Sequence, residues 1–354
     1  MDVTSYLLGK KAGGGTPAVL EDKEVTITQN GETTITPSTG YTGMSSVDLT
    51  VNVPQPSGKI EITQNGTDID VSSYATADVS VPSQKFTFVN GGGFSFQGDT
   101  RNNLQPEIDN IVANVDMSGI TTMQSMFSGC KNITSIDLSD LDVSNVKTTT
   151  YMFSGCTNLS SIDFDNWNTS NLESTKYMFN QCQGITSLSL FNNLSSLIDA
   201  SGMFSGSNLT SIDLSDWTTS SSLTNVGSMF ASCTNITSVD LSGWDVTGIT
   251  TTNSMLYGCT NLTSIDLSGW NTSSLENTGY MFHQCTRLTR IDMRDFNFSN
   301  VTASTGYTSM FGTSSSNGPA NNCLIIVKDN TQKQWITSRF SRLTNVKTVA
   351  EIGG

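Results

Sequence analysis

Seven aspartates occupy corresponding places along the chain: Asp116, Asp137, Asp163, Asp213, Asp240, Asp266 and Asp292. Each lies between two apolar residues. Serines stand two positions before it (Ser135, Ser161, Ser211, Ser238, Ser264) and two positions after it (Ser139, Ser215, Ser242, Ser268). Arg290 and Arg294 bracket Asp292. Alternation of this kind puts Asp and Ser on one face of a strand and the apolar residues on the other. On neighbouring strands about 4.8 Å apart the carboxylates form a column. Their mutual repulsion is weakened by water and salt. Two readings are open. The column is an acidic, hydroxyl-lined strip for a cationic or hydroxyl-rich partner or for divalent cations, or it is a solvated face duplicated with its unit. One carboxylate per strand falls short of the roughly six to eight oxygens that calcium takes, so no metal site is read. The candidate ligand-binding residues are Asp137, Asp163, Asp213, Asp240, Asp266, Asp292, Arg290 and Arg294.

Other reactive types offer less. The single histidine, His283, falls in a slot that other units fill with Ser128 and Ser154, and reads as a surface substitution. No nucleotide loop, zinc motif or nucleophile elbow occurs, so neither catalysis nor a cofactor is expected. Six of the seven cysteines (Cys130, Cys156, Cys182, Cys233, Cys259, Cys285) stand four residues after a recurring Met. That is a property of the repeat and neither a disulfide framework nor a zinc pattern. A thiol so placed reads as a small buried hydrophobe.

The elements that position these residues follow from the recurrence. The Met falls at 126, 152, 178, 203, 229, 255 and 281, in steps of 26, 26, 25, 26, 26 and 26 residues. A fixed period of this size means stacked supersecondary units. Their inward residues follow one frame, L-x-x-I-x-L-x-x-W, from Val112/Val115/Met117/Ile120 to Leu288/Ile291/Met293/Phe296. The x-I-x-L-x portion is a strand. The last slot holds Trp167, Trp217, Trp244 and Trp270, which point inward and read as core. Asn193 takes that slot in the third full unit, where Ser189 replaces the aspartate. The expected fold is mainly β: a leucine-rich-repeat solenoid with a parallel sheet and a period of about 26 residues, preceded by small all-β modules.

Residues 1–22 form a short lead ending in Gly13-Gly14-Gly15, either a tail or a docking peg. Val25-Thr26-Ile27-Thr28-Gln29-Asn30-Gly31 and Ile60-Glu61-Ile62-Thr63-Gln64-Asn65-Gly66 repeat one strand-and-turn phrase, since Asn-Gly suits a tight hairpin. Residues 23–56 and 57–83 therefore read as two small β modules. Units this small bury little apolar surface, and homo-oligomerisation through them is expected. Residues 84–110 read as a cap carrying Phe86, Phe88, Phe94 and Phe96, 111–311 as the repeats, and 312–354 as a C-terminal cap with an amphipathic helix over 331–343.

The net charge of −14 argues against nucleic acid and anionic membrane as partners. No apolar run approaches the roughly 18 residues of a membrane span. Residues 1–22 lack the apolar segment of an export signal.

Phrases such as Met152-Phe153-Ser154-Gly155-Cys156-Thr157-Asn158-Leu159-Ser160-Ser161-Ile162-Asp163-Phe164, with links such as Val143-Ser144-Asn145-Val146, resemble the BspA-like class of bacterial leucine-rich repeats over about 111–311. That class is found on bacterial surfaces and in proteins that adhere to hosts or matrix. The Tyr6-Leu7-Leu8-Gly9-Lys10-Lys11 lead, the Val-Thr-Ile-Thr-Gln-Asn-Gly phrase and Tyr74-Ala75-Thr76-Ala77-Asp78-Val79 resemble segments of virion proteins from phages of gut Firmicutes. There such segments precede a variable C-terminal domain in tail, baseplate or head-fibre proteins. Together the resemblances imply a non-enzymatic virion appendage. Tyr6, Leu7, Leu8, Lys10 and Lys11 would dock it to other virion proteins, and the repeats would bind a host cell-surface glycan or protein. The alternative they leave is a bacterial cell-surface adhesin.

Overall fold

A computed structural model describes strands at 25–29, 33–35, 46–51, 60–64, 67–70 and 84–89, and then residues 93–114, 117–191 and 193–353. The docking candidates Tyr6, Leu7, Leu8, Lys10 and Lys11 lie outside the described residues, as does Asp116.

The N-terminal strands are β1 (Val25–Gln29), β2 (Thr33–Ile35), β3 (Ser46–Val51), β4 (Ile60–Gln64), β5 (Thr67–Asp70), β6 (Gln84–Val89) and β7 (Gly93–Ser95). β4 and β5 are antiparallel with Gln64 opposite Thr67. The two copies of the phrase share one sheet, in the order β2-β1-β4-β5, because β1 pairs with β4. β3 pairs with β6, and β6 with β7. The described chain continues into the helix α1 (Gln105–Asn114). This helix takes the first slot of the first expected copy of the repeat frame, while Met117 is buried and Ile120 packs against the core as the frame expects. Leu104, Ile108 and Ile111 are buried at helical spacing, whereas Val112, expected inward, is 37% exposed.

From residue 117 on, the units stack in sequence order. The Ser-Ile-Asp segments form short strands: β8 (Ser135–Asp137), β9 (Ser161–Asp163), β10 (Ser211–Asp213), β11 (Ser238–Asp240), β12 (Ser264–Asp266) and β13 (Arg290–Met293). They pair in parallel with like residues opposite, Asp137 with Asp163, Asp213 with Asp240 and Asp266 with Asp292. The expected single sheet is instead three small ones: β8-β9, β10-β11, and a sheet that runs from β12 and β13 into β14 (Leu324–Val327) and β15 (Val346–Thr348). The first break falls at the unit whose step is one residue short. There Leu188 and Leu190 are only half-buried, Ser189 is exposed, and no strand forms. Asn193 is exposed as well, and Phe191 fills the tryptophan slot, stacking on Trp167 at 5.7 Å. The slip has a further cost. Trp167 and Trp244 donate their indole N–H to carbonyls of Leu138 and Leu214 in the preceding unit, but Trp217, which follows the irregular unit, keeps a buried Nε1 without a protein partner.

The unbroken ladder lies elsewhere in each unit, on the segment around Met-Phe. Parallel bridges link Thr122, Thr148, Ser174, Asp199, Asn225, Thr251 and Asn277 in succession. Alternate N–H groups reach the next unit: Met123 to Thr148 O (2.8 Å), Ser125 to Thr150 O (2.9 Å), Phe127 to Met152 O (2.8 Å) and Gly129 to Ser154 O (2.7 Å). The N–H groups between them close turns inside the unit, as Met126 to Met123 O and Ser128 to Ser125 O. Every backbone donor of this buried-edged segment is thereby used, as a dry interior demands.

Beneath the ladder runs a column of rings. Phe96, Phe127, Phe153, Phe179, Phe204 and Phe230 stack at centroid distances of 5.2 to 5.6 Å. Leu256 interrupts the column before Phe282 and Phe311 resume it. At the C-terminal end the helix α2 (Asn330–Arg339) brings Trp335 onto Phe298 at 4.2 Å, and Phe340, just beyond that helix, meets Phe311 edge-on. A short helix, α3 (Val349–Ile352), follows β15, its first turn closed by a reciprocal Thr348–Glu351 capping box.

Leu256 shows that the ring slot accepts a branched aliphatic. Phe204→Leu should therefore lower stability far less than Phe204→Ala, which should cost about 3–5 kcal/mol through the cavity it leaves. Urea-unfolding midpoints of the two variants measure the difference.

Candidate functional site

The aspartates stand where the sequence pattern puts them, but each is engaged in its own unit. The Oδ1 of Asp137 accepts from the Ser139 backbone N–H (2.9 Å) and hydroxyl (2.7 Å). Asp213 does the same with Ser215. Asp163, Asp240 and Asp266 each accept from the N–H two residues on. Such a turn is a local alternative to secondary structure and ends the strand at that point. The recurring aspartate is thus a turn-former as well as an exposed charge. Hydrogen bonds from Ser139 and Ser215 hold the Asp137 and Asp213 carboxyls below the usual carboxylate range.

Asp292 differs from the rest. It is 1% exposed, and both flanking arginines close on it. Arg290 Nη2 lies 2.7 Å from Oδ2, as does Arg294 Nη2, and Arg294 Nε donates to Oδ1 at 3.0 Å. Burial alone pushes this carboxyl up, but Arg294 and Arg290 together outweigh it, and the group is held below its ordinary value. Asp292, Arg290 and Arg294 form a closed cluster and leave no open carboxylate for a ligand. The structure brings Asp137 beside Asp163 and Asp213 beside Asp240, and it does not join these pairs into one strip.

The cysteines are buried free thiols. Each of the six repeat thiols donates to a carbonyl of the preceding unit: Cys130 to Phe96 O (3.0 Å), Cys156 to Phe127 O (2.9 Å), Cys182 to Phe153 O (3.0 Å), Cys233 to Phe204 O (3.0 Å), Cys259 to Phe230 O (3.2 Å) and Cys285 to Leu256 O (3.0 Å). In the unit after the short-stepped one, Ser207 takes the slot, and its hydroxyl meets Cys233 at 3.4 Å. Burial pushes the thiols up, Cys130 and Cys233 to about 11 and Cys182 and Cys285 to about 12. Among the described residues no group of three or more His, Cys, Asp or Glu is placed to hold a metal ion.

The outer edge of the Met-Phe segment, half-buried along most of its length, carries features the sequence pattern did not single out. One column of residues has left-handed backbone: Ser125, Tyr151, Tyr177, Gly202, Ser228, Ser254 and Tyr280, with φ between 52° and 64°. A second column, three residues on, runs through Ser128, Ser154, Asn180, Ser205, Ala231, Tyr257 and His283. Tyr151 and Tyr177 stack at 5.1 Å, and Lys176 Nζ lies 5.9 Å from the Tyr177 ring. Farther along, His283 stacks on Tyr257 at 5.2 Å and meets Tyr280 edge-on at 5.6 Å. His283 is therefore part of an aromatic cluster; its Nδ1 is buried without a protein partner, and burial lowers its pKa. The signal was present in the sequence as Tyr-Met at 151–152, 177–178 and 280–281, where sibling units have Ser-Met or Gly-Met.

The profile of one protein family, described as "Mycoplasma protein of unknown function, DUF285", matches the chain twice, over residues 95–217 and 198–322. The two matches span the stacked units and the Phe96 end of the ring column, and neither reaches the N-terminal strands β1 to β6. No curated protein matches the chain.

Two outcomes test this chemistry. Asp292 supports the fold only while ionised, and its folded-state value lies below the ordinary 3.8. Its contribution is therefore present above that ordinary value and is lost as pH falls through the lowered one. Asp292→Asn should cost about 1.5–3 kcal/mol at neutral pH and should flatten the fall of the thermal midpoint between about pH 5 and pH 2 relative to wild type. All seven cysteines should resist a thiol-specific disulfide reagent at pH 8 in the native protein and react together once it is unfolded, as followed by absorbance.

Proposed function

The chain belongs to the DUF285 family, and from that membership we propose that it is a non-enzymatic binding protein whose repeats form a leucine-rich-repeat solenoid of the BspA-like type. On this reading the protein is an appendage of a phage particle, held through residues 1–22 to other virion proteins and through the solenoid to a structure on the host cell surface. The N-terminal β strands act as a spacer or an oligomerisation element.

One observation carries the binding role. Interior positions repeat with little change (Met, Phe and Cys in unit after unit), while the mostly half-buried columns beside them, exposed at Tyr151 and Tyr280, vary among Ser, Tyr, Gly, Asn, Ala and His. A rigid repeated interior with a varied exposed face is how stacked-repeat proteins present an extended recognition surface. The virion placement is supported by the resemblance of the lead and of the Thr-Gln-Asn-Gly phrases to virion segments. The BspA-like resemblance favours the second reading, a bacterial surface adhesin.

Immunogold electron microscopy of a producing culture, with antibody against residues 111–354, separates the two. Label on phage tails or capsids is the expected result. Label on cell envelopes with none on particles would overturn the virion placement and leave the adhesin.

A further inference from the structure

The irregular third unit is closed on one side and open on the other. Its step is one residue short, and the shortening falls between Leu190 and Leu194. Sibling units advance five positions there, as from Phe164 to Thr169, from Leu214 to Thr219 and from Leu267 to Thr272, and this unit advances four.

The strand side carries the damage. Leu138, Leu214 and Leu267 donate their backbone N–H to the carbonyls of Asp163, Asp240 and Asp292 in the following units, at 3.0, 3.0 and 2.8 Å. Among the described residues, Phe164 does not make the corresponding bond to Ser189, nor Leu190 to Asp213. Leu188 and Leu190 are only half-buried, and Ile198, beyond them, is 44% exposed. The Trp217 indole N–H is left without the carbonyl that Trp167 and Trp244 find. A buried donor so placed costs about 1–3 kcal/mol.

The ladder side is not interrupted. Tyr177 donates to Ser201 O (2.9 Å), Phe179 to Met203 O (2.8 Å) and Gln181 to Ser205 O (2.8 Å). These match Tyr151 to Lys176 O and Phe153 to Met178 O, both 2.9 Å, one unit earlier. The ring column runs through the same place, with Phe179, Phe204 and Phe230 at 5.6 and 5.5 Å. The hydroxyls of Thr175 and Ser201 are buried with no partner among the described residues, so backbone and rings hold this side.

The other gap in the sheet is of a different kind. Between β11 and β12 the step is regular, Val239 and Ile265 are buried, and Trp270 still reaches Leu241 O at 3.5 Å. Pairing is interrupted there and packing is kept. At the irregular unit packing is loosened as well.

The stability of a stack is a sum of unit terms and of interfaces between neighbours, so a weak interface opens before the whole does. Regions with few buried apolar contacts and few protected backbone bonds are the ones that open locally. We propose that the irregular unit is a hinge in the repeat region: its strand side parts and recloses on its own while the Met-Phe ladder stays bonded. The proposal is independent of what the repeats bind.

Hydrogen exchange of the full chain, read at single amides by fragmentation mass spectrometry, tests it. Thr210 N–H bonds Thr186 O (3.0 Å) across the irregular unit, and Thr237 N–H bonds Thr210 O (2.8 Å) one step on. Both are exposed threonines that follow a branched aliphatic residue, so opening is what separates them. Thr210 should exchange about tenfold or more faster than Thr237, while Tyr177 and Phe179 should exchange as slowly as Tyr151 and Phe153. Equal rates at Thr210 and Thr237 would overturn the proposal, and so would Phe179 exchanging as fast as Thr210, because the ladder would then not hold. A repaired chain, with residues 188–193 replaced by the seven-residue sequence of 162–168, regains the full period. In it Thr210 should slow to the rate of Thr237. A repaired chain that folds and keeps the fast rate would also count against the hinge. The wild-type comparison decides by itself if the repaired chain does not fold.

Discussion

The structure depends on one constraint: each unit must satisfy its backbone through the next. Along the Met-Phe segment alternate N–H groups cross to the following unit, and those between them close turns at home. This alternation requires a tight backbone with left-handed residues at fixed points, as at Ser125 and Gly129. It also fixes the period, because a bond from Phe127 can reach only the residue at the same depth of the next unit, Met152. The ring column follows from it, since backbones held in register place Phe127 over Phe153 at 5.2 Å. The thiol of the next unit then supplies the Phe127 carbonyl with a second donor. A cysteine at that place is small enough to be enclosed and can still donate; in the unit after the short-stepped one Ser207, equally enclosed, meets the Cys233 thiol instead.

The same economy explains the aspartates. A residue repeated at one slot invites a functional reading, and a column of carboxylates invites it strongly. Yet a short acceptor is what ends a strand of three residues, by capturing the N–H two positions on. Asp245, in a different turn, does this for Thr247, and so do Asn168 for Ser170 and Asn297 for Ser299. The chemistry used is the acceptor oxygen, which Asn shares; the charge is incidental to the turn. Where the charge is used, at Asp292, it is buried and clamped by Arg290 and Arg294. That cluster lies in the one sheet that continues, through β14 and β15, toward the C-terminal end.

The period, the Met, Phe and Trp interior, the buried thiols and the strands at Ser-Ile-Asp were legible because each is a local consequence of burial or alternation repeated many times. What was illegible came from places where one unit departs from its siblings. The frame assigned Asn193 to the tryptophan slot because it counts residues, whereas the chain fills space, and Phe191 is the residue that reaches Trp167. It assigned Val112 inward because three apolar residues fitted the spacing, although Leu104, Ile108 and Ile111 fit a helix better. The continuity of a sheet was not legible either, since it depends on strands from separate units meeting, and no residue type encodes that.

The tyrosines were missed for a related reason. A periodic reading weights what recurs, and Tyr151, Tyr177 and Tyr280 are exceptions in a column of Ser and Gly. Their physical meaning runs the other way. At a left-handed position Ser and Gly meet the needs of the backbone, and a large ring adds nothing to the ladder beneath it. Tyr151 and Tyr280 remain 37% and 38% exposed, whereas the half-buried Tyr177 ring packs over Gly202. In a stacked protein the interior residues answer to the neighbouring unit, and that obligation keeps them alike. The residues free to differ are those that answer to nothing in the chain, and a costly choice among them is the clearest mark a sequence of this kind carries of what it meets outside itself.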